Sequence, residues 1–322
     1  TLSDLGCEVI KVESPAGDDT RQWGPPFIER GEDKSASYFH SANRGKASVV
    51  VDLTTDEGQA KMKELLADAD ILIENFKTGG LAKYGMDYAS LSKQFPKLIY
   101  CSITGFGQTG PYAERPGYDF LIQGMGGIMS LTGEPEGQPM KLGIGIADIM
   151  TGMHAATAVL AALRHRDRSG IGQHIDLALL DTQVSWLAYH AVEYLNTGTN
   201  PERLGNGATA VVPYGVYPTA DGHVIVACGN DRQFANLCKA LDLDSMINGV
   251  LQGLALPLPG QITPGVAGYN PDLKSITFDP EGAELYHLGR DLSETTNLAK
   301  KEPSKLAEMR EGLEAWRTEV GA

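Results

Sequence analysis

The chain has 322 residues, 42% hydrophobic and 21% charged, the proportions of an ordinary folded protein with core enough for one large α/β domain or two smaller ones. Its 27 Lys and Arg against 41 Asp and Glu leave a net charge of −14, which argues against nucleic acid or an anionic membrane as a partner and makes any anion site a local basic exception. Cys7, Cys101, Cys228 and Cys238 lack Cys-x-x-Cys spacing, so they read as small buried residues in a reducing cytoplasm, and neither a metal site nor a disulfide framework is expected.

Thr1 to Gly6 looks like the last turn of a helix closed by glycine, followed by a strand over 7–13. No basic-then-apolar leader opens the chain, and no apolar run approaches the ~20 residues that span a bilayer. Ser48 to Leu53 reads as a β-branched strand, and Ala60, Met62, Leu65 and Leu66 give 55–67 a helical period. Asp70 to Glu74 and Lys97 to Ile103 are further buried strands. This strand-then-helix rhythm predicts an α/β fold with a mostly parallel, Rossmann-like sheet, in which ligands bind beyond the carboxyl ends of strands. Asn75-Phe76-Lys77 and Thr104-Gly105-Phe106-Gly107 fall at such ends.

The glycines between Gln123 and Gly133 permit close approach of a ligand or of a second backbone. No dinucleotide or Walker fingerprint follows a strand, which leaves NAD and ATP unsupported. Asp148 stands between a glycine-studded apolar stretch, Gly143 to Ala147, and a helix expected to run to about Arg166. Met153, Ala156, Leu160 and Leu163 form its expected apolar face, Ala155, Ala158, Ala161 and Ala162 allow close packing, and Ser169-Gly170-Ile171-Gly172 is its stop. A carboxylate in that place serves as a helix cap or as a nucleophile, and the N-terminal N–H groups are expected to keep it ionised. A strand over 174–179 follows, then two strands across a turn within 212–227. From Gly249 to Pro271 nine of 23 residues are Gly or Pro, which reads as linker. Leu306, Met309, Leu313 and Trp316 make only a narrow stripe, so the end of the chain is not expected to pack into the main domain.

Several motifs, weak singly but specific in order and spacing, resemble the class III CoA-transferase family, which includes formyl-CoA, carnitine and succinate-dependent transferases and the related α-methylacyl-CoA racemases. They run from Asp18 to Phe27, Asn43 to Lys46, Glu74 to Phe76, Ser102 to Gly107, Gly117 to Asp119 and Gln123 to Gly133, and from Asp148 into Gly170-Ile171-Gly172-Gln173. The resemblance covers about residues 1–243 and implies an incomplete CoA-transferase domain there, a Gly/Pro-rich linker over 244–274 and an atypical tail over 275–322. Within that tail, Ala283 to Ala299 resembles the C-terminal end of type I sulfatases, although no sulfatase nucleophile motif occurs. Family members carry a strand and most of a helix before the point matching Thr1, so the fold is expected to be N-terminally truncated.

The resemblance implies CoA exchange between an acyl-CoA thioester and a carboxylic acid through an aspartyl-CoA thioester on Asp148, with CoA as a substrate and no permanently bound cofactor. It places Val51, Asp52, Leu53, Thr54, Asn75, Phe76, Lys83, Gly117, Tyr118 and Asp119 along coenzyme A, with Arg115 as a further phosphate partner. Gly205-Asn206-Gly207 would supply backbone N–H groups over the substrate, or be a plain surface turn. Segments 212–217 and 221–227 look most like members that use succinyl-CoA and dicarboxylic acceptors. A cytoplasmic enzyme acting on small molecules and assembling as an interlocked homodimer is implied. The alternatives are a racemase-like isomerase and an inactive CoA-binding fragment; racemases carry a histidine where this chain has Tyr118, a poor base at neutral pH.

Overall fold

The computed structural model describes residues 1–31 and 33–243, with the side chain of Asp33 excepted; the expected linker and tail, 244–274 and 275–322, lie outside the described residues. Two compact units are distinguished. The first comprises Thr1–Thr132 and Pro139–Pro201, and the second takes Gly133–Gln138 and, among the described residues, 202–243.

The first unit opens with a 3-10 turn, Ser3–Leu5, closed by Gly6 in the left-handed region, and then enters β1 (Val9–Glu13). A hairpin that no sequence expectation covered follows, β2 (Phe27–Arg30) and β3 (Asp33–Ala36), and leads into α1 (Ser37–Ala42). Next come β4 (Lys46–Val50), α2 (Asp56–Ala67), β5 (Ile71–Glu74), α3 (Tyr88–Gln94) and β6 (Ile99–Thr104). After them run α4 (Asp119–Met125), α5 (Ile128–Leu131), α6 (Ile146–Ser169), β7 (His174–Ala178), α7 (Leu179–Ser185) and α8 (Tyr189–Thr197). β1 pairs with β4 and β6 sits between β5 and β7, all in parallel, as the strand-then-helix rhythm predicts. The second unit contains the antiparallel pair β8 (Tyr214–Thr219) and β9 (Gly222–Ala227), followed by α9 (Asp231–Ala240).

Local chemistry fixes the element ends. The Thr55 side chain accepts a hydrogen bond from Gly58 N–H and caps α2, and Asp56 and Glu57 complement the positive end of its dipole. Met62 and Leu66 of that helix then bury against Val51, Leu81, Met86, Leu91, Leu98 and Tyr100, one of the unit's hydrophobic clusters. Helix α6 stops at Gly170, whose φ of 76° is left-handed and whose N–H bonds to Arg166 O.

Two expectations about α6 change in the structure. Its buried positions are Ala147, Thr151, Ala155, Ala156, Val159 and Ala162, a face of mostly small residues that lets the helix lie against β6, β7, α4 and α7. Met153 and Leu160, assigned to the inner face by period, are about half exposed. Small side chains win the interior because close backbone approach to a sheet excludes longer ones. The expectation of no run fit to cross a bilayer also fails by length and composition: Ile146–Ser169 qualifies, the one such helix among the described residues. Of Ala155, Ala158, Ala161 and Ala162, expected to allow close packing, Ala155 and Ala162 are buried, Ala158 is partly buried and Ala161 is exposed. Ala147, Thr151, Ala155, Ala156 and Ala162 form the inner face of a helix that packs on the parallel sheet, with Val159 fully buried beside Cys101, while Gly152 and Thr157 are exposed.

Candidate active site

The candidate site is assembled at the carboxyl end of β6. A Cβ on Gly105 would lie 2.5 Å from Gly117 Cα, so only two glycines allow the loop after β6 to touch the segment that enters α4. Leu180 N–H donates to Gly105 O at 3.1 Å and ties α7 to the same loop. This contact brings Tyr118 and Asp119 to the strand end, 13 residues or more along the chain from Gly105.

Asp119 opens α4 and reaches across to α6. Its Oδ1 accepts a hydrogen bond from Ala147 N–H at 2.8 Å, and its Oδ2 accepts one from Gln123 Nε2 at 2.7 Å. Gln123 is fully buried; its Oε1 accepts from Leu142 N–H at 2.9 Å, and its Nε2 also lies 3.4 Å from Ile144 O. Asp148 occupies the first turn of α6, while the N-cap position belongs to Gly145 and has no side-chain cap. The capping role considered for Asp148 therefore falls to Asp119, which satisfies a free first-turn N–H from another helix.

A Cβ on Gly145 would lie 3.7 Å from Asp119 Cγ and 3.8 Å from Asp148 Oδ2, so the two carboxylates flank one glycine. Asp148 has water-reachable surface, yet enough protein surrounds its carboxyl for burial to be the main cause that raises its pKa to about 6, and the Asp119 charge adds to it. The helix start is expected to keep Asp148 ionised, and burial and the Asp119 charge oppose that effect. At pH 7 the carboxylate still prevails by roughly ten to one. Tyr38 of α1 feels the same charges: its phenol is pushed above its ordinary value by burial first, then by Asp148 and Asp119. Its ring lies 5.2 Å from that of Trp23, and both are half exposed.

The residues expected along coenzyme A all lie in the first unit. Asn75 and Phe76 are exposed beyond β5, and Phe76 N–H donates to Glu74 Oε2. Thr78 Oγ1 donates to Ala113 O at 2.9 Å, which joins that loop to the segment carrying Arg115. Arg115 and Lys83 are exposed and lie over the rings of Tyr112 and Tyr84 at 4.1 Å and 4.7 Å. At the end of β4 the Asp52 carboxylate accepts from Thr54 N–H and Oγ1, which holds its pKa down, and Leu53 packs at the edge of the core. The Val51 side chain is buried in that core and leaves only its backbone for a ligand. Tyr118 is exposed at the N-cap of α4. His154 is exposed too, its Nδ1 2.9 Å from Met150 O.

Gly205, Asn206 and Gly207 belong to the second unit and are exposed. Gly205 N–H donates to Gly133 O and Gly207 N–H to Leu204 O, so two of the three N–H groups expected to serve an oxyanion are engaged by protein carbonyls. The turn reading of this segment describes the arrangement. Sequence reasoning missed the tether through Gln123, which it noted only as the start of a glycine-rich run; its one signal was a glutamine four residues after Asp119 on a helix.

Comparison with known proteins agrees with the geometry. The family model for CoA-transferase family III matches residues 1–250. The chain is 58% identical over 248 residues to a succinate–glutarate CoA-transferase of Agrobacterium fabrum, covering 76% of this chain and 62% of that protein. It is 42% identical over 248 residues to the human succinyl-CoA:glutarate CoA-transferase, covering 77% and 56%. Among solved structures, a CAIB/BAIF family protein from Brucella suis matches with a TM-score of 0.71 at 56% identity, over 76% of this chain and 65% of that one. The chain thus spans less than two thirds of the length of the curated relatives it matches.

Proposed function

The chain belongs to CoA-transferase family III, and we propose that it moves coenzyme A from succinyl-CoA to a dicarboxylic acid such as glutarate, with Asp148 as the covalent carrier. The observation that carries this reading is the Asp148 carboxylate in the first turn of α6, facing Asp119 across Gly145, in a chain 58% identical to a succinate–glutarate CoA-transferase.

An Asp148 carboxylate oxygen attacks the thioester carbonyl, the C–S bond breaks, and a mixed anhydride and CoA thiolate result. The thiolate attacks the aspartyl carbonyl and expels succinate, leaving an aspartyl-CoA thioester. The acceptor carboxylate attacks that thioester and releases the thiolate, which takes the acceptor acyl group from the second anhydride and frees Asp148. Over the whole cycle one thioester is exchanged for another, so it runs on carboxylate nucleophilicity. A carboxyl with a pKa near 6 suits it, being ionised at neutral pH yet more basic than an ordinary aspartate.

Coenzyme A enters as a substrate. We assign its nucleotide and pantetheine to the strand-end segments: the backbone of Val51, then Asp52, Leu53 and Thr54, with Asn75, Phe76, Gly117, Tyr118 and Asp119, and Lys83 and Arg115 for phosphate. Gly205, Asn206 and Gly207 are assigned as a substrate loop through their backbone N–H groups, of which those of Gly205 and Gly207 are engaged by the carbonyls of Gly133 and Leu204. The compartment is taken to be the cytoplasm. A second copy of the chain is the expected partner, a reading supported by the exposed apolar rows Phe120, Leu121 and Met125 on α4 and Tyr189, Val192 and Leu195 on α8. Residues 1–243 are taken as the catalytic domain.

The test is Asp148→Asn, which keeps the shape and removes the nucleophile. Transfer from succinyl-CoA to glutarate should vanish, and hydroxylamine added with succinyl-CoA should convert Asp148 of the unsubstituted protein to a hydroxamate found by peptide mass. Undiminished transfer in the variant rules the carrier out. In a panel of acceptors, preference for formate or carnitine over glutarate sinks the substrate assignment.

A further inference from the structure

We propose that Gln123 is a positioning residue for CoA transfer: its side-chain amide fastens the glycine-rich segment before α6 to α4 and so fixes where Asp148 stands. The proposal rests on the reading of Asp148 as the carrier. Segment 142–147 contains Gly143 and Gly145, which give its backbone wide conformational freedom, yet it must deliver Asp148 at one place. Two side chains of α4 restrain it. Gln123 Oε1 accepts from Leu142 N–H at one end, and Asp119 Oδ1 accepts from Ala147 N–H at the other. Gln123 Nε2 closes the circuit by donating to Asp119 Oδ2 at 2.7 Å.

The chemistry of the site selects glutamine. The group at this position must accept from a backbone N–H and donate to a carboxylate at once, in a place from which water is excluded, since Gln123 is fully buried. An apolar side chain leaves Leu142 N–H and one Asp119 oxygen unpaired in the interior. A glutamate accepts from Leu142 N–H as before, but it donates to Asp119 only while it holds a proton. Burial and the Asp119 charge both favour that proton, so the side chain is expected to lose it near or above neutral pH. Among the described residues, the ionisable groups that interact with Asp148 are Asp119 from α4 and Tyr38 from α1, and neither donates to Gln123.

The experiment compares Gln123→Leu, Gln123→Glu and Asp148→Asn in the full chain. For Gln123→Leu, kcat for succinyl-CoA and glutarate should fall about 10- to 100-fold while KM for succinyl-CoA stays within about threefold, because the bound geometry rather than the affinity is lost. For Gln123→Glu, the ratio of kcat at pH 6 to kcat at pH 8 should exceed that of the unsubstituted protein by about fivefold or more, a readout that a purely structural defect does not move. Amide exchange at Leu142 and Ala147 should quicken about tenfold or more in Gln123→Leu, with the amides around Val159 unchanged. An unchanged kcat in Gln123→Leu, an unchanged ratio in Gln123→Glu, or unchanged exchange at Leu142 and Ala147 overturns the proposal. The exchange measurement needs no turnover, so it decides the tether whatever the activity of the chain. Wild-type transfer by Asp148→Asn would instead overturn the carrier reading. An inactive Asp148→Asn beside a fully active Gln123→Leu would overturn the positioning role alone.

Discussion

Replacing Asp119 with asparagine removes one negative charge facing Asp148 and leaves one oxygen to accept from Ala147 N–H, while its NH2 stands where the other oxygen accepts from Gln123 Nε2, so that link is lost together with the charge. One point next to Gly145 lies within 3.8 Å of both side chains, so the two carboxyl groups are at most about 7.5 Å apart. At that separation and an effective dielectric constant of about 20, two unit charges repel by about 2 kcal/mol, and water on the exposed side of Asp148 lowers this. The pKa of Asp148 stands at about 6 against an ordinary 3.8, with burial the larger cause and Asp119 the smaller. Less than half of the rise is therefore recoverable, and Asp148 in Asp119→Asn should titrate at about 5. The assay is a carbon-13 titration of aspartate carboxyl groups, with the Asp148 signal assigned by its loss in Asp148→Asn. Tyr38 offers a second reporter, since its phenol should titrate lower once the Asp119 charge is gone. If Asp148 still titrates at 6 or higher, burial alone sets its pKa and the two carboxylates do not interact.

Asp148→Asn should stabilise the fold above pH 6, because a carboxyl whose folded pKa is raised disfavours the folded state once ionised; discounted for water contact, the gain is about 1 kcal/mol, read as a Tm increase at pH 8 that vanishes by pH 4. A Tm gain that persists at pH 4 refutes this. Glu13 is buried, and its carboxyl is held near 2 chiefly by hydrogen bonds from Arg21, so Arg21→Ala should cost about 3 kcal/mol at pH 7 in urea unfolding. The Glu13 contribution is fully present above its ordinary pKa of 4.5 and is lost as pH falls through about 2; an equal cost at pH 2 and pH 7 contradicts the assignment. Gly105→Ala forces a methyl group against Gly117 Cα at 2.5 Å, which should cost about 1–3 kcal/mol and lower kcat by moving Asp119. Wild-type Tm and kcat would show that the two loops yield without effect.

The sequence by itself determined the order of parallel strands and helices, because β-branched runs, helical periods and glycine stops are local signals. β5, β6, α2 and the Gly170 stop lie within two or three residues of where those signals put them. Asp148 was legible as a candidate for the same local reason, a lone carboxylate at a helix start, and the family motifs gave it a role. The tertiary structure alone decided which carboxylate caps α6, since Asp119 is 28 residues from the N–H it accepts. It also decided which small residues of α6 turn inward, Ala155 and Ala162 but not Ala161, because the placement of a helix on a sheet is set by packing and not by hydrophobicity. The direction of the Asp148 pKa was beyond local reading for a related reason. A helix start favours a charged carboxylate, but desolvation and a like charge oppose it, and both come from residues that only folding brings near.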